Sequence, residues 1–281
     1  MTLQNLKYIF KYCNLIFCGF STLLVAQPSL SDTGQLTVTG SSTIAPLMSE
    51  IGKRFEKMHP QTRIEVQTGG SSRGIADVRR NLADIGMVSR ALHTDEKKIF
   101  DGHLVALDGI SMIVHKTNPV MNLSKQDIIN IYTGATTDWT TFGGPDTPIT
   151  VVNKAEGRST LEGFLGYVGL ENRQIEADVI VGDNLQGIKT VAANPNAIGY
   201  VSIGTAEYEE AHGTAIRRVQ MDGVLASTEL VRKGEFEVAR ELNLMTKGTI
   251  SPLAKQFIDF TQSKDVRDLI EAQYFVAVEK Q

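Results

Sequence analysis

The sequence predicts an α/β protein of two lobes, with mostly parallel sheets, helices on both faces and a hinged cleft between the lobes. Three observations carry that prediction. Short β-branched runs alternate with amphipathic helical stretches from Gly34 onward. A polar break at Lys116-Thr117-Asn118-Pro119 closes one alternating set before a second begins. Glycine and hydroxyl residues gather at the strand-to-helix turns, where open α/β sheets hold their ligands.

The first 26 residues stand apart. Lys7 and Lys11 precede an apolar run, Tyr12 to Ala26, with no acid or proline, and Gln27-Pro28-Ser29 turns the chain polar. That is the pattern of a secretory signal peptide over residues 1–26. At about 15 residues the run falls short of the roughly 20 that cross a bilayer, and a retained N-terminal anchor is the alternative. Both cysteines, Cys13 and Cys18, lie inside it, so the exported product lacks a disulfide framework and any thiolate site. Bulky Phe17 argues against lipidation at Cys18.

Of 28 basic residues, Lys7 and Lys11 leave with the signal, so 26 bases face 32 acids and the net charge is −6. This balance excludes the basic stripe of a nucleic-acid binder. It permits an anion site, because backbone amides and helix N-termini hold anions on acidic proteins.

The elements follow in order. Strands are expected at Leu36–Thr39, Arg63–Gln67, Asp84–Val88 and Leu104–Val114. Helices lie between them over positions 43–58 and 74–82, where Leu47, Ile51, Phe55, Ile75, Val78 and Leu82 recur at helical spacing. The second set has a helix around Ile128, Ile129 and Ile131, a strand at Ile149–Val152 and a helix from Ser159 to Val168. It continues with Val179–Val181, a helix through Ile188 and Val191, and the strand Ile198–Ser202. A strand at Glu241–Thr246 and helices near Pro252–Thr261 and Asp265–Gln273 close the chain. One lobe is therefore expected from 34–116 plus 205–281, the other from 117–204. Trp139, in a loop rich in Thr and Gly, is read as a surface-loop anchor.

Three turns share one composition: Gly40-Ser41-Ser42-Thr43, Gly69-Gly70-Ser71-Ser72-Arg73-Gly74 and Gly157-Arg158-Ser159-Thr160. Each follows a strand and opens a helix. Glycine lets the backbone approach closely, and the free amides lie at the positive end of the helix dipole. Capping needs one hydroxyl, and these turns carry several in succession. Two also carry an arginine, whose planar fork suits a tetrahedral oxyanion.

LTVTGSSTIAPL at 36–47, VQTGGSSRGIADV at 66–78 and DIGMVSR at 84–90 together resemble the phosphate-binding family of periplasmic substrate-binding proteins. VVNKAEGRST at 151–160 and NPNAIGYVSIG at 194–204 extend the resemblance over nearly the whole mature chain. It implies a two-lobed periplasmic-binding-protein-like fold of type II. It also implies that Thr43 and the Ile44 amide, Ser71 and Ser89 hold the anion from one lobe, and Arg158, Ser159 and Thr160 from the other. Ser42 and Lys154 are further candidate contacts.

Two departures from the family pattern stand out. Many members carry aspartate where this chain has Ser89, and that carboxylate accepts a protonated phosphate oxygen while repelling sulfate. Asp84 or Glu156 would have to reach the site to replace it. The usual arginine, a few residues before Ser-Gly-Thr, is Lys154 here, and Arg158 is expected to take over its charge.

The partners this implies are inorganic phosphate or a related oxyanion and an ABC-transporter permease in the inner membrane, with the protein a monomer and no cofactor. Two alternatives stay open. Gly70-Ser71-Ser72-Arg73-Gly74 also fits the G-x-S-x-G elbow of a serine hydrolase, which needs an acid and then a histidine downstream; His93, His103, His115 and His212 are available, with Asp183 before His212. The same anion site would also serve a sensor or surface protein without transport. The histidines are too scattered for a metal site.

Overall fold

A computed structural model describes residues 34–278. The signal segment expected at 1–26 lies outside the described residues.

The first strands and helices alternate as β1 (Gly34–Gly40), α1 (Ala45–Met58), β2 (Thr62–Thr68), α2 (Ser71–Arg79) and β3 (Ile85–Val88). The long β4 (Asp101–His115) leads to β5 (Asn122–Leu123), α3 (Lys125–Tyr132), β6 (Thr150–Lys154), α4 (Ser159–Val168) and β7 (Val179–Val181). Then come α5 (Asn184–Ala193), β8 (Ala197–Ser202), α6 (Ile203–Ala211), β9 (Ile216–Arg218), β10 (Gln220–Met221) and α7 (Thr228–Lys233). The chain ends with β11 (Ala239–Thr246), α8 (Pro252–Thr261), α9 (Arg267–Ala272) and β12 (Val276–Ala277).

The main sheet runs β2-β1-β3-β11-β4-β8-β6-β7. Its two ends are parallel, with Val38 of β1 opposite both Val66 and Ile85. The centre is antiparallel, because β4 pairs with β11 over Asp101–Gly109 and with β8 over Ile110–Val114. The parallel pattern expected from strand–helix alternation holds in β2-β1-β3 and β8-β6-β7, and β4 and β11 add antiparallel pairing between them.

Each half of the sheet has its own core. Leu47, Ile51 and Phe55 of α1 pack with Ile85, Leu244 and Phe257 on one side. Met112, Tyr132, Phe164 and Tyr200 pack on the other, with the Phe164 and Tyr200 rings stacked at 4.0 Å. Trp139 belongs to this second core and is fully buried, its indole N–H donating to the Asn196 carbonyl at 2.9 Å. It is a core residue, not a surface anchor.

The divide between the halves falls inside β4, at Gly109–Ile110, where its pairing partner changes. Val219, Met221 and Val231 pack into the second core, so the segment around β9, β10 and α7 joins that half. The elements between 203 and 233 are short, which left them without a readable period.

At the second turn the helix begins at Ser71, three residues before the expected start. Gly70 adopts φ +93°, which lets β2 end and α2 begin without a longer loop. Gly74 serves packing instead: a Cβ there would stand 2.7 Å from the Thr39 carbonyl oxygen.

Candidate anion-binding site

Ser41, Thr43, Ser71, Ser89, Ser159 and Thr160 are buried at the strand ends of the two half-sheets. Thr43 precedes α1, and its amide donates to Ser41 Oγ at 3.2 Å. Ile44 is the N-cap of α1; its side chain lies in the core, so only its backbone can serve a ligand. Ser71 opens α2, and its Oγ accepts from the Ser89 amide at 3.2 Å, joining the second turn to the end of β3. Ser42 is only half-buried and lines an open cleft of about 470 Å³ with Thr43, Asp183 and Asn184.

The second half supplies the third turn. The amide of Ser72 donates to the Gly157 carbonyl at 3.2 Å, so the second and third turns touch. The Arg158 guanidinium lies over Gly70, where a Cβ would meet Nη1 at 2.7 Å. Arg158 Nε and Ser159 Oγ are buried without a partner among the described residues. Native proteins pair such atoms, so an oxygen-rich ligand fits their chemistry.

Arg240 of β11 completes the site, and the turn motifs gave no hint of it. Its Nη1 donates to Thr160 Oγ1 at 3.0 Å and its Nη2 to Thr43 Oγ1 at 3.3 Å, bridging the first and third turns. Nε and Nη2 also grip Asp108 Oδ2 at 3.1 and 2.8 Å, and Asp108 Oδ1 accepts from the Gly204 amide at 3.2 Å. The Asp108 side chain is fully buried, which demands such a partner. One signal for it was in the sequence: Asp108 is the lone acid in the apolar run Leu104–Val114.

Lys154 is buried on the same side. Its Nζ donates to the Asp183 carbonyl at 2.7 Å, and the next residue, Asn184, donates to Thr43 Oγ1 at 3.1 Å. Burial pushes the Lys154 ammonium down to about 7; Asp183 opposes this, and Arg240 and Arg158 add to it. The described site thus gathers Arg158, Arg240 and Lys154 around the hydroxyls, with Asp108 bound to one of them.

Neither acid proposed to stand in for an aspartate at position 89 arrives. Asp84 accepts from the Thr37 amide at 2.8 Å and is exposed, and Glu156 is exposed and accepts from Asn172. The hydrolase constellation is not assembled either. His93 stands by Glu162, His103 bonds Thr246, His115 bonds Thr117 and His212 bonds the Tyr208 carbonyl, while Asp183 caps α5. Among the described residues no cluster of His, Cys, Asp or Glu is arranged to hold a metal, and no helix is long and apolar enough to cross a membrane.

Residues 25–265 match the family model described as the PBP superfamily domain. The chain belongs to the PBP superfamily. Within that superfamily it is PstS-like. It is 29% identical over 253 residues to the phosphate-binding protein PstS of Bacillus subtilis (strain 168), covering 88% of this chain and 81% of that one. It also superposes on the structure of a phosphate ABC transporter substrate-binding protein with bound phosphate from Clostridium perfringens. That TM-score is 0.81 at 31% identity, over 87% of this chain and 100% of that one. An ABC-type phosphate transport receptor from Vibrio cholerae gives a TM-score of 0.70 at 27% identity, over 86% and 100%. These relatives of the PBP-superfamily chain are named for binding and transport, not for catalysis.

Proposed function

We propose that this protein is an exported solute-binding protein. It captures inorganic phosphate, or a similar tetrahedral oxyanion, between two lobes and delivers it to an ABC transporter. The carrying observation is the meeting of Thr43 and Thr160, from separate halves of the sheet, on one buried guanidinium. An anion bridging both halves favours the closed arrangement only when it contacts each at once.

The two lobes of this reading are the half-sheets divided within β4, and the hinge lies where β4 and β11 pass between them. Thr43, the Ile44 amide, Ser71 and Ser89 bind from one lobe and Arg158, Ser159 and Thr160 from the other, with Lys154 and Arg240 completing the positive field. Ser42 stands at the mouth of the cleft. Export rests on the N-terminal pattern, delivery on a membrane permease partner, and the binding unit is a monomer.

Calorimetric titration of the purified mature protein with phosphate, sulfate, arsenate and molybdate tests the ligand. Saturable one-to-one heat with phosphate is expected, and no heat with any of the four overturns the reading. Copurification of a permease distinguishes transport from a free-standing sensor.

A further inference from the structure

The hydrogen bonds around Arg240 constrain which oxygens the site accepts. A hydroxyl has one proton and two acceptor lone pairs. At Thr43 both lone pairs are engaged, one by Asn184 Nδ2 at 3.1 Å and one by Arg240 Nη2 at 3.3 Å. The Thr43 proton can then only donate, and Thr43 is 3% exposed, so water does not readily take it. Thr160 Oγ1 accepts from Arg240 Nη1, and Ser71 Oγ accepts from the Ser89 amide, which leaves each of them one lone pair beside the proton. Asp108 holds the guanidinium in the plane that reaches both threonines.

We propose that Arg240, positioned by Asp108, sets the hydrogen-bond polarity of this site, making the Thr43 hydroxyl an obligate donor, occupying one of the two acceptor positions of Thr160, and selecting fully ionised oxyanion oxygens over protonated ones. The inference rests on the oxyanion reading above and refines its ligand to the dianion. The role is one of positioning, exerted through the hydroxyls. The charged groups facing them are Arg240 of β11, Asp108 of β4, Arg158 before α4, Lys154 of β6 and Asp183 before α5. Any titration of this set acts alike on sulfate and on dianionic phosphate, which carry the same charge. The ratio of the two affinities therefore isolates the proton carried by phosphate, since sulfate has none near neutral pH.

The test is calorimetry with phosphate and sulfate across the second ionisation of phosphate, on the parent protein, Arg240→Lys, Thr43→Val and the double variant Asp108→Asn/Arg240→Gln. The double variant removes both buried charges together and so leaves neither alone. Arg240→Lys keeps the charge but loses the fork that reaches two hydroxyls. In the parent, the phosphate-to-sulfate affinity ratio is expected to fall as phosphate gains its second proton. In each variant that melts cooperatively, both anions should bind at least tenfold more weakly and the ratio should lose most of its pH dependence. Folded variants with undiminished affinity overturn the inference. So do variants whose affinities fall equally while the pH profile of the ratio stays that of the parent, which is what a merely structural role predicts. A parent protein that gives no heat with either anion removes the oxyanion reading and this refinement together.

Discussion

The Lys154 ammonium donates to the Asp183 carbonyl at 2.7 Å, tying the end of β6 to the start of α5 with only 3% of the lysine exposed. Burial, the largest influence, brings this group from 10.5 down to about 7. Between those values the unfolded chain holds the proton and the folded chain does not. The unliganded protein should therefore gain stability as pH rises from about 7 towards 10.5; below that window the cost of the buried charge is fully present and Lys154 adds no pH dependence. An adjacent anion favours the charged lysine, so binding above pH 7 should take up a proton and weaken as pH rises. Calorimetry of sulfate binding in buffers of different ionisation enthalpy measures that uptake, and Lys154→Met should abolish it. Equal uptake in the variant would contradict the assignment.

Arg158 and Gly70 act as a pair across the same junction. Losing one charge-assisted hydrogen bond costs on the order of 1.5–3 kcal/mol, so Arg158→Ala should weaken phosphate binding roughly ten- to a hundred-fold. Unchanged affinity would remove Arg158 from the site.

Gly70→Ala should impair the same function from the opposite side. The new Cβ would meet the Gly157 carbonyl and Arg158 Nη1, each at 2.7 Å, on a backbone already at φ +93°. The strain is about 1–3 kcal/mol and bears on the arrangement in which the two turns touch. A lower melting temperature and weaker phosphate binding are expected. Because the Gly157 contact is backbone, adding Arg158→Ala should not restore the melting temperature.

Arg90, after β3, reaches the other half of the molecule through Glu162 of α4 at 2.7 Å, while Glu96 holds its remaining nitrogens at 2.7 and 2.9 Å. This is a latch between the halves. Glu162→Gln should raise the phosphate dissociation constant only a few-fold, since Glu162 is partly exposed, Arg90 keeps Glu96, and ion pairs open to solvent contribute about 1 kcal/mol or less. The change should appear as faster release and shrink at high salt. Stopped-flow release rates at two ionic strengths decide it, and an unchanged rate counts against the latch.

Ser89 is buried beside Ser71, with its amide on the Ser71 hydroxyl. Ser89→Asp would add a carboxylate that accepts a phosphate proton and repels sulfate. The variant should discriminate phosphate from sulfate better than the parent in competition titrations, and equal or poorer discrimination would show that position 89 does not face the ligand.

The sequence alone determined what is local. Glycine followed by hydroxyls at 40–43, 69–72 and 157–160 specified turns that start helices, because φ freedom and capping act within a few residues. The apolar periods placed most strands and helices for the same reason, and the turn residues pointed to an anion. Only the tertiary structure decided which charges meet those turns. Arg240 lies 197 residues from Thr43 and 80 from Thr160, in a strand whose side chains alternate without any motif. The antiparallel passage of β11 beside β4 brings its guanidinium onto Asp108, and no local spacing encodes a pairing made at that distance.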